Sequence, residues 1–185
     1  WYDSAAGGKN RYIKYENSQS EANIAEIEVY GTLYEGEDIP TAPTASPAPS
    51  ASEEPAENVM IDLSDKDQSG SEGWNNQNNY PNAFDGNTET YFDGLQNGYC
   101  QVDLGALHNI SALRFYPRGG HTSDKPGEYV ARMVGGVFSG SIDGSNWTPL
   151  YTVPSDIFTN NEDASIVKWY DIEPSGVYRY IKYEH

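Results

Sequence analysis

From residue 59 onward, apolar and polar residues alternate in short runs at 59–63, 99–104, 110–116, 134–141, 150–153, 166–172 and 178–183. A period of two is the pattern of a half-buried strand, and no stretch carries the 3.6-residue period of an amphipathic helix. Turn chemistry separates the runs at Asp85-Gly86-Asn87, Asp103-Leu104-Gly105 and Asp143-Gly144-Ser145-Asn146. Seven short strands predict an all-β chain folded as an antiparallel sandwich or barrel. Two more runs, 11–15 and 24–30, lie upstream and cannot form a core alone.

The upstream runs belong to a duplication. Trp1-Tyr2-Asp3 and Arg11-Tyr12-Ile13-Lys14-Tyr15-Glu16 recur, 168 positions later, as Trp169-Tyr170-Asp171 and Arg179-Tyr180-Ile181-Lys182-Tyr183-Glu184. The first copy continues into the alternating Ile24-Ala25-Glu26-Ile27-Glu28-Val29-Tyr30-Gly31, whereas the second stops at His185. Self-similarity at a fixed period is the mark of a tandem-repeat protein. The reading is that residues 1–35 are the C-terminal strands of an upstream repeat, and that residues 59–185 form a module lacking its own last strand. Between them, residues 36–58 have the Pro/Thr/Ser/Glu composition of an extended spacer or O-glycosylated stalk, with Thr41, Thr44, Ser46 and Ser50 as acceptors.

Composition narrows the partners. A net charge of -17, from 28 acidic against 11 basic residues, opposes binding to nucleic acid and to anionic lipid surfaces. No apolar run approaches the length of a membrane helix, so membrane insertion is not expected. The 15 tyrosines and 18 glycines suit pleated sheet with tight turns. The one cysteine, Cys100, falls at an inward position of its strand and reads as a small buried hydrophobe, which leaves no disulfide framework.

Five blocks in order resemble the coagulation-factor type C, or discoidin-like, domain, which has the galactose-binding-like jelly-roll fold and includes many bacterial carbohydrate-binding modules. They are Ala83-Phe84-Asp85-Gly86-Asn87 through Thr90 and Phe92, Gln101-Val102-Asp103-Leu104-Gly105, Leu113-Arg114-Phe115-Tyr116-Pro117-Arg118, Gly140 to Thr148, and Tyr178-Arg179-Tyr180-Ile181-Lys182-Tyr183. The upstream Ala25-Glu26-Ile27-Glu28-Val29-Tyr30-Gly31 looks like that family's closing strand, so the resemblance spans everything but the linker. Phe92 stands where the family commonly has tryptophan.

The resemblance implies a structural Ca2+ in the loop 82–90. Its ligands would be the carbonyls of Asn82 and Asn87, the Asp85 carboxylate, the Thr90 hydroxyl and carbonyl, and Glu26 from the closing strand. The residue types agree with this, since a carboxylate, a hydroxyl and carbonyls around a glycine-permitted turn are the hard oxygens that Ca2+ takes. Asp65-Lys66-Asp67-Gln68-Ser69-Gly70 starts like an EF-hand loop, but Asn76 stands at its twelfth position and no helices flank it, so a solvated turn is expected.

Sugar recognition needs an aromatic face for the pyranose and fixed polar groups for its hydroxyls. Arg118 matches a position that some family members use for sugar hydroxyls, and His121, Asp93, Glu128 and Arg132 lie in neighbouring loops. Trp74, Tyr91, Tyr99 and Tyr129 are the aromatic candidates, while Trp147 and Trp169 are assigned to the core or its margin. For catalysis there is no His-Glu-x-x-His, no Gly-x-Ser-x-Gly, no phosphate loop and no Cys/His metal spacing, so no enzyme is expected. The expectation is a non-catalytic glycan-binding module of an extracellular or cell-surface protein, with neighbouring copies of the module as further partners. The alternative is a structural subunit of an extracellular fibre, built by exchange of the N-terminal strand into the next chain's module.

Overall fold

The alternating runs pair as antiparallel strands in a computed structural model of the protein, which describes residues 21–36, 59–120 and 124–185. In chain order these are β1 (Glu21–Ile24), β2 (Glu26–Leu33), β3 (Asp67–Gly70), β4 (Phe92–Gln96), β5 (Tyr99–Tyr116), β6 (Val137–Ser141), β7 (Trp147–Thr152), β8 (Tyr170–Ile172) and β9 (Gly176–Glu184). Among the described residues, only short 3-10 turns and loops lie between them, and the chain is all-β, an antiparallel jelly-roll sandwich. Residues 1–20, with the strand expected at 11–15 and the first copy of the repeat, lie outside the described residues. So do residues 37–58 of the linker, with its four candidate glycosylation sites, and His121.

The main sheet runs β2-β5-β9-β6-β7, with β3 and β8 as further partners of β5. The runs 99–104 and 110–116 are therefore not two strands. They are one 18-residue strand that bends where Gly105 adopts φ +83° and the pairing with β9 slips between Asp103 and His108. The strand expected at 59–63 reduces to an isolated bridge between Met60 and Tyr30. The segment expected to be a solvated turn supplies β3 instead, whose residues 67–70 pair with 100–103 of β5.

The upstream segment completes the sandwich. β2 pairs with β5 from Glu26 opposite Tyr116 to Leu33 opposite His108, and β1 pairs with β4. The strand breaks at Ala25, where the chain passes from one sheet to the other. Ala22, Ile24, Ala25, Ile27 and Val29 are all at most 1 % exposed. The slot that residues 59–185 leave open is thus filled by residues 21–33.

Apolar positions of both layers meet in a core led by Phe92, Phe115, Phe138 and Tyr183. Phe138 lies 5.1 Å from Phe115 and 4.8 Å from Tyr183 between ring centroids. Cys100 is fully buried and its thiol is pushed up by desolvation, so it is the inert hydrophobe expected from its strand position. Trp147 and Trp169 are half-buried at the margin, beneath Lys182 and against Tyr116 respectively.

Where β2 shifts register, Gly31 lies so close to β5 that a Cβ there would sit 2.4 Å from the Asn109 carbonyl oxygen. Gly31→Ala should cost about 1–3 kcal/mol, the usual penalty of overpacking. Urea denaturation of the variant checks this, and an unchanged midpoint would show β2 to be loosely held.

Candidate functional site

Arg118 follows the end of β5 by two residues, and its guanidinium is enclosed. Tyr91 and Tyr129 stack on it at 3.9 and 3.7 Å from their ring centroids. Asp93, from β4, accepts an ion pair at 2.7 Å, and Asn23 Oδ1, from β1, accepts a hydrogen bond at 2.7 Å. The residue is only 4 % exposed and Asp93 only 8 %. A planar cation clamped between two rings and held in plane by a carboxylate is the arrangement for which arginine, and not lysine, is suited.

The cluster extends outward from this clamp. Arg132, in the short turn Val130–Met133, lies 4.5 Å from the Tyr129 centroid and pairs with Glu21 of β1. Glu128 is half-buried in the turn just before Tyr129. On the other side, the Trp74 N–H donates to the Asp93 carbonyl at 2.6 Å, and Gly73 bridges to Gly94. The Trp74 side chain projects with 72 % of its surface exposed, and Leu95 beside this bridge is 44 % exposed. Six of the nine expected ligand residues, Arg118, Asp93, Arg132, Trp74, Tyr91 and Tyr129, are thereby joined through one chain of contacts. Glu128 adjoins them, and His121 is outside the described residues. Tyr99 is not among them, since it opens β5, where its N–H donates to Ser71 Oγ.

The loop 82–90 forms a second assembly at the edge of β2. Glu26 is 3 % exposed, and its Oε2 accepts from the N–H groups of Gly86 at 2.8 Å and Asn87 at 3.1 Å. Asp85 accepts from the Asn87 N–H at 2.9 Å and from the Thr90 hydroxyl at 2.7 Å, and Thr90 also donates to the Asn87 carbonyl. Gly86, at φ +76°, gives the turn its shape. The Asn82 side-chain amide donates to the carbonyls of Gln77 and Tyr91. Burial, reinforced by the charge of Asp85, pushes the Glu26 carboxyl up to about 7, against the pull of the N–H groups of Ile27, Gly86 and Asn87.

Two carboxylates and the Thr90 hydroxyl meet around this turn, oxygen donors of the kind that a hard cation such as Ca2+ takes. Among the described residues, no three His, Cys, Asp or Glu side chains gather in a metal-holding arrangement. The remaining ligands would therefore have to be the carbonyl and hydroxyl oxygens.

The F5/8 type C domain family matches residues 64–184, about two thirds of the sequence. The chain belongs to that family.

This F5/8 type C domain is also similar to two solved structures. CpGH89CBM32-5 from Clostridium perfringens, solved in complex with GalNAc-beta-1,3-galactose, is 16 % identical, with 67 % of this chain and 86 % of that chain covered and a TM-score of 0.48. The C-terminal domain of a chitobiase from Bacteroides fragilis is 21 % identical, with 67 % and 83 % covered and a TM-score of 0.46. No curated protein matches the chain.

Two residues of this F5/8 type C domain's loop end were not foreseen, Glu21 and Asn23. Asn23 does leave a trace in the sequence, as one amide inside the otherwise apolar Ala22-Asn23-Ile24-Ala25. A polar side chain in such a run, fully buried here, needs a partner, and Arg118 is that partner.

Proposed function

We propose that the chain is a non-catalytic glycan-binding module of an extracellular or cell-surface protein, with its ligand site at the loop end around Arg118 and Trp74. F5/8 type C domains are generally non-catalytic carbohydrate-binding modules. The observation that carries the reading is the exposed Trp74, tied through its backbone to Asp93 and so to the Arg118 clamp. An indole face offers the apolar side of a pyranose a platform, and polar groups fixed beforehand meet hydroxyls at little entropic cost. Arg118, Asp93, Glu128, Arg132, Tyr91, Tyr129 and His121 are the proposed polar and aromatic surround. A net charge of -17 favours neutral over polyanionic glycans.

Ca2+ is proposed at Glu26, Asp85, Thr90 and the carbonyls of Asn82 and Asn87, where it would neutralise the buried carboxylate and fix the loop. Its role there is structural.

A glycan-array screen of the full chain, followed by titration calorimetry on any hit, tests the proposal. Trp74→Ala should weaken binding by about tenfold or more, a loss of about 1.4 kcal/mol. Being exposed, the residue should change stability by no more than about 0.5 kcal/mol. A folded chain that binds no glycan, or a Trp74→Ala variant that binds as tightly as the parent, would overturn the site.

A fibre subunit is the second reading, favoured by the arrival of the closing strand from a separate stretch of chain. Filaments visible by electron microscopy, lost on removal of residues 1–35, would support it.

A further inference from the structure

A second set of aromatic and polar groups lies on the outward face of the main sheet. Glu28 of β2 stands opposite Arg114 of β5, which in turn stands opposite Asp171 of β8. Their neighbours along each strand, Ile27, Val29, Leu113, Phe115 and Ile172, are buried in the core, so these three side chains point away from it. The Arg114 guanidinium donates to Asp171 at 2.8 Å and to Glu28 at 3.2 Å, and the Tyr30 hydroxyl donates to Glu28 at 2.6 Å. Arg114 also lies 4.7 Å from the centroid of the half-buried Trp169 ring, which Tyr116 meets edge-on at 5.5 Å.

Beyond Glu28 the strip runs into an open cavity of about 280 Å3. The Ile61 N–H donates to the Val29 carbonyl at 2.8 Å, which holds the segment 60–64 along β2 as one side of this cavity. Met60, Ile61, Leu63 and Phe84 give it an apolar wall, and Glu28, Asp62 and Ser64 line it with oxygens. Such a volume is at the lower end of small-ligand sites, which start near about 300 Å3.

Stability does not account for the network. The Asp171 side chain is 70 % exposed and that of Arg114 32 %, and exposed ion pairs contribute only about 0–1 kcal/mol. Yet these outward residues recur in the duplication. Trp169 and Asp171 match Trp1 and Asp3, whereas the buried Ile172 and Tyr178 stand against Ser4 and Asn10. Surface aromatic and charged groups retained where core positions have changed mark a face that contacts something.

Charge selects the occupant. The guanidinium is matched by the carboxylates on either side of it, so the strip offers fixed donors and acceptors in alternation and calls for no cationic or anionic ligand. Groups held by one another meet hydroxyls at little entropic cost, and an indole beside them supplies apolar contact for a sugar ring. From β8 to β2 the strip is about 10 Å wide at ~4.8 Å per strand, before the cavity is counted, which is more than one pyranose covers.

We propose that this strip is a second carbohydrate site, taking a short neutral oligosaccharide laid across β8, β5 and β2 with one end against Trp169 and the other in the cavity beside Glu28. The site rests on the same glycan reading as the loop end, but on none of the Arg118 or Trp74 contacts.

An array of neutral galactose-, glucose- and N-acetylhexosamine-based oligosaccharides, probed with the full chain and its variants, tests it. The Trp74→Ala chain should keep measurable binding, and adding Trp169→Ala should lower that binding by about tenfold or more. Adding Asp171→Ala instead should lower it by about three- to tenfold, the worth of one hydrogen bond, and the exposure of this side chain keeps the test valid should Trp169→Ala disturb the fold. A Trp74→Ala chain that binds nothing while the parent binds overturns the sheet-face site and leaves the loop end standing, as does residual binding that neither added substitution reduces. Binding untouched by Trp74→Ala but lost with Trp169→Ala and Asp171→Ala overturns the loop end and keeps this site. A folded parent that binds no sugar overturns both.

Discussion

Arg118→Ala is expected to lower folding stability by about 3–5 kcal/mol, the cost of leaving one member of a buried ion pair without its partner. Asp93, 8 % exposed, would be left buried without the guanidinium that lies 2.7 Å away. Tyr91 and Tyr129 would lose the flat cation between them, and Asn23 its donor. Ligand binding at the loop end should disappear as well. Arg118→Met combined with Asp93→Asn removes both charges and should recover much of the stability without recovering binding. Urea denaturation and calorimetry on the two variants separate these effects. An Arg118→Ala chain within about 0.5 kcal/mol of the parent would show that the clamp does not hold this end together.

In chelator, the protein should be about 3 kcal/mol more stable at pH 5 than at pH 8, because Glu26 titrates at about 7 when folded and near 4.5 when unfolded. Between those values the folded chain holds a proton that the unfolded chain has released. Stability therefore falls as pH rises through this window, and the full cost is present above about pH 7. The carboxyls of Asp62, Asp103, Asp143 and Asp163 are held below their ordinary value by hydrogen bonds. Their contributions are lost only in more acid solution. Ca2+ selects the ionised carboxylate and should reverse the trend, stabilising the chain at pH 8 more than at pH 5. Glu26→Gln should flatten both dependences. Melting curves at the two pH values that coincide with and without Ca2+ would rule out a cation at this loop.

Strands that bury side chains on one face were legible as alternation. β9, with Tyr178, Ile181 and Tyr183 inward, lies where its pattern put it, as does the second half of β5. β3 was not legible, because Asp67-Gln68-Ser69-Gly70 has no apolar residue and is held by backbone pairing to β5, with Tyr80 lying against Gly70. β4 hid behind Asp93 and Gly94, polar and glycine positions that are buried because the Arg118 clamp and Ala22 require them there. At the loop end, Arg118 and its aromatic neighbours could be named from family-like blocks. Asn23 could not, since it reaches Arg118 from 95 positions away, through a pairing that no local pattern encodes.

That separation also sets an order of events during synthesis. Residues 21–33 leave the ribosome first, yet their partner strand ends only at Tyr116. At about 5–20 residues per second, the interval is roughly 4–17 s, during which Ile24, Ile27 and Val29 have nothing to cover them. Contacts this distant in sequence also form slowly, since the loop must close before they repay its entropy. The segment is therefore made well before it can be buried, and a nascent chain is most open to chaperones, or to capture by a finished neighbour, in that interval.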